Sequence, residues 1–368
     1  MRIGVLTSSR ADFGIYLPLL KRLKADDAFA LEIIAFGTHL SPYHGYTIDQ
    51  IEAAGFEVKY KIESMLQADS SAAIATAMGL TTIKFADFWR DHTDDFDLVF
   101  CLGDRYEMFS AVMAGVPFQI PFAHLHGGET TLGAIDNVFR HSIALAAKYH
   151  FTATEDAAER VKQLTDGNYN VHYVGALSLD NLKDIELLSI EEFKQQWGID
   201  LSKKTILTTF HPETVDYESN ERYAGELVKT IQSLNGYQVL ITMPNADTAG
   251  SIIRKALTVA FKNSDRVFLV ENLGPKGYFS AMKHCTFLLG NTSSGIIEAA
   301  SFGKYVINLG DRQKGRSAGS NVIHTSINAN EIINAVHGVE SSDAIGNRNI
   351  YFNGGATERI IAVLKELK

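Results

Sequence analysis

The chain has 368 residues, of which 46% are hydrophobic and 21% charged, a composition that is typical of globular proteins and excludes a disordered one. Its 34 Lys and Arg against 43 Asp and Glu leave a formal net charge of −9, so we expect no nucleic-acid partner and no anionic membrane surface. No uncharged apolar stretch reaches the roughly 18 residues of a membrane span, and no secretory signal is predicted.

Short apolar runs, bounded by glycine or polar residues, alternate with longer helical patterns along the chain. This alternation predicts buried parallel strands joined by helices. The strands are expected at residues 3–6, 31–36, 98–102, 122–125 and 149–153 in the first half, and at 205–210, 239–243, 267–270, 286–289 and 306–309 in the second. The sequence therefore predicts an α/β protein with two doubly wound domains.

A polar, helix-rich stretch over residues 177–204 separates the two sets of strands. We therefore place the first domain at 1–175 and the second at 176–354. An amphipathic pattern over 358–368 predicts a last helix, and we expect 355–368 to pack back on the first domain. Two such domains facing each other are expected to form a cleft lined by the carboxyl ends of the strands, where ligands bind.

Cys101 and Cys285 both lie in apolar runs and lack the spacing of metal sites. Buried free thiols are typical of a reducing compartment, so we expect a cytoplasmic protein.

Charged motifs follow two predicted strands of the first domain. Arg10 follows the first strand and could reach an anionic ligand, although a capped helix start with a solvated arginine is an alternative. Asp104 and Arg105 follow the strand at 98–102, where an aspartate could equally be a helix N-cap. Both positions are candidates for contact with a ligand.

The segment 124–129 reads H-L-H-G-G-E and ends another strand. Glycine lets the backbone approach a ligand closely, so His126 and Glu129 are candidate site residues. Asp136 and Arg140 follow at helical i, i+4 spacing, which also suits a simple ion pair. Three carboxylates with arginines and histidines nearby can provide a base and an acid with divergent pKa values.

The second half carries its candidate site residues at three strand ends. His211 ends the first of these strands and is either a surface residue or a site residue. The turn 290–298, G-N-T-S-S-G-I-I-E, can cradle an anion or simply cap a helix with serine, and Glu298 could accept hydrogen bonds from a ribose. The basic loop 310–316 is either a phosphate clamp or a solvated loop. Neither the Walker A motif nor G-x-G-x-x-G is present.

Together these motifs resemble the hydrolysing UDP-N-acetylglucosamine 2-epimerases of bacterial sialic acid biosynthesis. The resemblance covers most of the chain. The matching motifs are S-R-A-D at 9–12, G-T-H-L at 37–40, G-D-R at 103–105, H-G-G-E at 126–129, I-D-x-x-x-R-H at 135–141, H-P at 211–212, G-N-T-S-S-G-x-x-E at 290–298 and N-L-G-x-R-Q-x-G-R at 308–316.

The resemblance implies a GT-B-like pair of Rossmann-type domains, with the nucleotide on the second domain and the sugar in the cleft. It implies catalytic roles for Asp104, Asp136 and His211. Related non-hydrolysing epimerases have a glutamate, in H-x-E-A-G, where this chain has H-L-H-G-G at 124–128, so His126 or Glu129 is expected to replace that acid/base. Residues implied to hold the nucleotide diphosphate are Arg10, Ser293, Ser294, Glu298 and Arg312, and we add His39, Arg105, Arg140, Asn291, Gly295 and Arg316 to the binding set.

The implied reaction converts UDP-N-acetylglucosamine and water to N-acetylmannosamine and UDP. Anti elimination of UDP would give a 2-acetamidoglycal, which water then hydrates. This route requires no cofactor, neither NAD nor a metal. The expected partners are therefore the UDP-sugar substrate, the UDP product and further copies of the chain, in a homodimer or homotetramer.

Several alternatives share parts of this pattern. The substrate could be a 2,4-diacetamido-6-deoxy sugar on UDP or GDP. A GT-B glycosyltransferase would share the fold but leave C2 untouched, and a non-hydrolysing epimerase would release no free UDP. A non-enzymatic sugar-binding protein would usually carry an export signal and would not need several acid–base groups.

Overall fold

A computed structural model describes residues 1–68, 70–167, 170–244 and 250–367 of the chain. These residues form two compact units. The first comprises Met1–Glu129, Asp136–Asp184 and Tyr351–Lys368, and the second comprises Thr130–Ile135 and Ile185–Ile350. No helix within the described residues combines the length and the apolar character that crossing a membrane requires.

The first unit is built on a parallel sheet of order β3-β2-β1-β4-β5-β6-β7. Its strands are β1 (Arg2–Thr7), β2 (Ala30–Phe36), β3 (Val58–Ile62), β4 (Leu98–Leu102), β5 (Phe122–Leu125), β6 (Tyr149–Thr152) and β7 (Val171–Tyr173). Its helices up to residue 184 are α1 (Arg10–Lys24), α2 (Ile48–Ala53), α3 (Ser71–Asp91), α4 (Tyr106–Gly115), α5 (Asp136–Ala146), α6 (Glu155–Leu164) and α7 (Asn181–Asp184). Every residue of β4 is buried, because helices cover both faces of a parallel sheet.

The second unit repeats this design with a parallel sheet of order β10-β9-β8-β11-β12-β13. The strands are β8 (Thr205–Thr209), β9 (Gln238–Thr242), β10 (Val267–Val270), β11 (Phe287–Gly290), β12 (Val306–Leu309) and β13 (Val322–Thr325). The helices are α8 (Ile190–Trp197), α9 (Asn220–Ser233), α10 (Gly250–Phe261), α11 (Gly274–His284), α12 (Ser293–Ile297) and α13 (Ala329–Glu340).

Both units are Rossmann-like α/β folds, which confirms the predicted fold class. The strand order reverses between β1 and β4 in the first unit and between β8 and β11 in the second. In such sheets the carboxyl ends of the strands beside the reversal are the usual place for a ligand. Each unit therefore has one edge on which site residues are expected.

The unit boundary differs from the one predicted near residue 175, because residues 176–184 pack within the first unit. The Ala176 amide donates to the Tyr351 carbonyl at 2.8 Å, and Asn181 Nδ2 donates to the Gly14 carbonyl at 2.8 Å. The last helix, α14 (Ala356–Glu366), contributes Ile360 and Leu364 to the core of the same unit. Lys368, included in the predicted helix, lies outside the described residues.

Residues 130–135 belong to the second unit although the chain on both sides belongs to the first. We call this segment the strap. The Leu132 amide donates to the Lys314 carbonyl and the Gly133 amide to the Asp311 carbonyl, both at 3.0 Å. The predicted domain boundaries place the strap in the first domain. The bonds that attach it to the second unit join residues far apart in sequence, so no local pattern reveals them.

Candidate active site

The turn after β1 is ordered by a capping box. Ser9 caps α1, and the Asp12 carboxylate accepts from the Ser8 amide at 2.8 Å and from Ser9 Oγ at 2.8 Å. The capped helix start considered for Arg10 is therefore present. Arg10 is the first residue of α1 and is exposed, close to the carboxyl end of β1.

His39 is fully buried behind the same turn. Its Nε2 lies 3.0 Å from Thr7 Oγ1, and its Nδ1 lies 2.8 Å from Thr47 Oγ1. Burial lowers the pKa of the ring. Because both nitrogens bond within the protein, this geometry makes His39 a link between β1 and the 41–47 loop, and it gives no support to the predicted ligand contact.

Asp104 forms an ion pair with Arg140 of α5 at the end of β4. The Arg140 side chain is 3% exposed and the Asp104 side chain 25%. A second guanidinium nitrogen of Arg140 donates to the Glu129 carbonyl at 2.9 Å. Arg140 therefore holds the carboxylate from the interior, while Asp104 keeps access to solvent.

The turn between β5 and the strap holds His126 and Glu129 close together. His126 Nδ1 lies 3.3 Å from Glu129 Oε1, and both residues are buried. His126 has a φ of 61°, a backbone conformation uncommon for residues other than glycine that is often found at functional sites. Gly128 is required by packing, since a Cβ there would lie 2.2 Å from the Ala157 carbonyl oxygen.

Asp136 and Arg105 complete the predicted set of the first unit. Asp136 begins α5 and is half-buried. The Arg105 guanidinium donates to both carboxylate oxygens of Glu107, at 3.2 and 2.9 Å, and Glu107 is fully buried. Much of the hydrogen-bonding capacity of Arg105 is therefore used at the start of α4.

His124 lies in the H-L-H-G-G-E motif but is not among the predicted site residues. It is fully buried in β5, and its Nε2 lies 2.8 Å from the Gly103 carbonyl oxygen. Burial lowers the pKa of its ring to about 3. The ring therefore stays neutral near neutral pH.

In the second unit, Asn291 holds the main chain of His211. The His211 amide donates to Asn291 Oδ1 at 2.7 Å, and Asn291 Nδ2 donates to the His211 carbonyl at 2.8 Å. Asn291 is fully buried. The predicted ligand residue Asn291 thus joins the ends of β8 and β11 and orients the backbone at His211.

The 290–298 turn starts where β11 passes close to β8. A Cβ on Gly290, which has a φ of 151°, would lie 2.0 Å from the Thr209 carbonyl oxygen. Thr292 caps α12 and accepts from the Ser294 amide at 3.4 Å, so the cap is a threonine and not the serine considered above. Beyond the cap, solvent exposure differs along the turn: Ser293 is exposed, Ser294 is half-buried, and Gly295 and Glu298 are buried.

The 310–316 loop is held by two residues that are not among the predicted site residues. Glu213 Oε1 accepts from the Asp311 amide at 2.6 Å, and Gln313 Nε2 donates to the Asn291 carbonyl at 2.9 Å. Burial raises the pKa of Glu213. Arg312 is half-buried and donates to the Pro212 carbonyl at 3.1 Å, and Arg316 is also half-buried.

The signal for Glu213 and Gln313 was their position beside His211 and Arg312 in the motifs, but their partners lie about 100 and about 20 residues away in the chain. Across residues 1–68, 70–167, 170–244 and 250–367, no group of three or more His, Cys, Asp or Glu residues is arranged to hold a metal ion.

The chain is similar to several known proteins. The chain is 35% identical over 328 residues to the GDP/UDP-N,N′-diacetylbacillosamine 2-epimerase (hydrolyzing) of Campylobacter jejuni, covering 89% of this chain and 85% of that protein. It is 32% identical to polysialic acid biosynthesis protein P7 of Escherichia coli, covering 99% and 94%. The crystal structure of the Neisseria meningitidis UDP-GlcNAc 2-epimerase bound to UDP-GlcNAc has a TM-score of 0.83 at 17% identity, covering 100% of both chains.

The UDP-N-acetylglucosamine 2-epimerase family model matches residues 21–365. This match spans nearly the whole chain. The chain therefore belongs to the UDP-N-acetylglucosamine 2-epimerase family and is an enzyme of the hydrolysing nucleotide-sugar 2-epimerase class.

Proposed function

We propose that this enzyme converts UDP-N-acetylglucosamine and water to N-acetylmannosamine and UDP, the first step of a sialic acid pathway. The observation that carries the proposal is the Asp104–Arg140 pair. It presents a partly exposed carboxylate at the end of β4, beside the point where the strand order reverses. A carboxylate in this position suits the removal of a proton from a bound sugar.

The chemistry requires UDP to leave before the proton does. The C2 proton is not acidic while C1 is an intact acetal, and it becomes removable as the C1–O bond breaks and C1 gains oxocarbenium character. Asp104 takes the proton, which leaves a 2-acetamidoglycal. Water then adds its hydroxyl to C1. C2 receives a proton on the face opposite to the one from which Asp104 removed the first proton, and the free 2-epimer is released.

The second proton transfer has two candidate donors in the first unit. His126 and Glu129 share a contact and are both buried, so either can serve while the other orients it. Asp136 and His211 stabilise charge or position water. Groups of this kind each contribute about 10²- to 10⁴-fold to a rate.

The second unit holds the nucleotide in this proposal. The hydroxyls of Ser293 and Ser294 and the backbone at Gly295 bind the diphosphate, together with Arg312 and Arg316. Support comes from two bonds that hold the 310–316 loop, from the Asp311 amide to Glu213 and from Gln313 to the Asn291 carbonyl. A loop held in place loses less entropy when it binds. Glu298 accepts hydrogen bonds from the ribose, and Arg10 and Arg105 assist with the anionic substrate.

A second candidate substrate is UDP- or GDP-linked N,N′-diacetylbacillosamine, which is a 2,4-diacetamido-6-deoxy sugar. It is favoured by the name of the Campylobacter relative at 35% identity. The reaction at C1 and C2 is the same for both sugars. The two substrates differ at C4 and C6, so the chemistry proposed for Asp104 applies to either.

The test is incubation with each nucleotide sugar in D₂O, with NMR of the released sugar and an assay of free UDP or GDP. We expect deuterium at C2, and the preferred substrate identifies the sugar. The Asp104→Asn variant should lose about 10²- to 10⁴-fold in turnover and keep its UDP affinity. Product without deuterium at C2 would exclude this mechanism, and a nucleotide that stays on the sugar would indicate a non-hydrolysing epimerase.

We also propose that the enzyme is cytoplasmic and that it forms a homodimer or homotetramer. Cys101 and Cys285 are free and buried, as expected in a reducing compartment. Val138 and Leu145 lie on α5 with 65% and 62% of their surfaces exposed, which favours a partner there. Light scattering of the purified protein measures its oligomeric state, and a monomer at micromolar concentration would contradict it.

A further inference from the structure

The hydrogen bond between His124 and Gly103 joins the two strand ends that carry the proton-transfer residues. His124 Nε2 lies 2.8 Å from the Gly103 carbonyl oxygen. A carbonyl oxygen only accepts, so Nε2 carries the proton and the ring is the Nε2–H tautomer. The donor belongs to β5 and the acceptor follows β4, so the bond fixes the position of one strand end against the other.

Gly103 is held through both of its main-chain polar atoms. Its amide donates to the Leu125 carbonyl at 3.0 Å, and its carbonyl accepts from His124. Both partners lie on β5. Gly103 has a φ of 74°, which turns the chain out of the strand just before Asp104.

Asp104 is thus constrained from two directions. The backbone before it is held by β5, and its carboxylate is held by Arg140 of α5. His124 itself is fully buried in β5. Its bond to the Gly103 carbonyl acts on the residue directly before Asp104.

We infer that His124 is a positioning residue, which sets the direction of the Asp104 carboxylate through the Gly103 carbonyl. The inference rests on the proposed function, in which Asp104 removes the C2 proton. A carboxylate displaced by about 1 Å can lose about 100-fold in rate.

The test compares two amide replacements. In His124→Gln, the side-chain nitrogen can reach the position of Nε2 and keep the bond to Gly103. In His124→Asn, the nitrogen corresponds to Nδ1 and is too short to reach. We expect turnover of H124Q to stay within about threefold of the wild type, and turnover of H124N to fall about 10- to 100-fold with KM and UDP affinity unchanged.

A double variant separates positioning from general damage to the fold. If His124 acts through Asp104, adding H124N to Asp104→Asn causes no further loss of turnover. The pH profile of H124Q should keep the shape of the wild type, because the buried His124 ring is neutral in the assay range. If H124N does not fold, His124→Leu, which has similar size and no donor, takes its place in the same comparison.

The outcomes separate this inference from the proposed function. Wild-type enzyme that releases no UDP or GDP from any of these sugars refutes both. The inference alone is refuted if the wild-type enzyme is active and H124N, or H124L in its place, is as active as H124Q. It is also refuted if the variant loses UDP affinity, or if its loss of turnover adds fully to that of Asp104→Asn.

Discussion

Burial determines which groups Arg140 can bind. On sequence it was assigned to substrate binding, as an arginine beside three carboxylates. In the structure its side chain is 3% exposed and bonds Asp104 and the Glu129 carbonyl. Two directional bonds from one planar group are specific to arginine, so we expect Arg140 to support the carboxylate from behind.

Replacing Arg140 with lysine tests that role. Lysine keeps the charge, but its single ammonium cannot reproduce the fork that reaches both Asp104 and Glu129. We expect Arg140→Lys to lower turnover about 10- to 100-fold, measured as UDP release. Arg254→Lys is the matched control, because Arg254 pairs with Glu271 on the surface and should stay within about twofold. Equal turnover in both variants would contradict the supporting role.

In the second unit, the side chain of Asn291 likewise bonds within the protein. The G-N-T-S-S-G motif indicated an anion site, and Asn291 was included in the set of ligand contacts. Its amide group instead bonds the main chain of His211 on both sides. Sequence located the residue at the correct turn, but the partner lies 80 positions away and no local pattern reports it.

Among the elements, the strap connects two candidate acid–base residues to the second unit. Glu129 precedes it and Asp136 follows it. Its middle residue, Gly133, lies so close to the 310–316 loop that a Cβ would be 2.4 Å from the Asp311 carbonyl carbon and 2.6 Å from the Arg312 nitrogen. The strap therefore needs glycine at this position for steric reasons.

Gly133→Ala should displace the strap or the loop. Forcing a methyl group into a packed contact costs about 1–3 kcal/mol, so we expect UDP affinity, measured by calorimetry, to fall about tenfold. Gly338→Ala is the control, since Gly338 lies in α13 with nothing within 4 Å of its Cβ position, and alanine there favours the helix. Unchanged UDP affinity in Gly133→Ala would contradict a coupling between this contact and nucleotide binding.

Three of the four edge strands were not predicted from the sequence, whereas the fourth, β10, was predicted at 267–270. β3, β7 and β13 lie at sheet edges, and β3 reads V-K-Y-K-I with alternating burial. The central strands were predicted to within about two residues, because a strand buried on both faces is a continuous apolar run. The three unpredicted edge strands are partly solvated and carry polar residues, so their composition does not distinguish them from loops, whereas β10 is an apolar V-F-L-V run.

For the whole molecule, buried histidines set the response to acid. Burial lowers the pKa of His124 to about 3 and that of His150 to about 4, against about 6.5 in an unfolded chain. The unfolded chain therefore binds protons that the folded protein rejects as the pH falls below about 6.5. The stability that these histidines contribute is complete above about pH 6.5 and is lost as the pH falls toward their pKa values in the folded protein.

We expect the free energy of unfolding to be lower at pH 5 than at pH 7.5, by about 2 kcal/mol for each of these two histidines. Glu213 acts in the opposite direction, because burial raises its pKa. Urea unfolding at the two pH values measures the difference, and in His124→Gln it should shrink by about half. Equal stability at both pH values would contradict this account.

The class of fold, the central strands and the motifs at their carboxyl ends could be predicted from the amino-acid sequence, because they depend on the local period of apolar residues and on turn chemistry. Tertiary structure alone decided that residues 176–184 belong to the first unit, that the strap belongs to the second, and that His39, Arg140 and Asn291 bond within the protein. The physical reason is that a hydrogen bond is decided by which strand ends become neighbours. That order is a property of the folded sheet, while the composition of a single segment reports only its own burial.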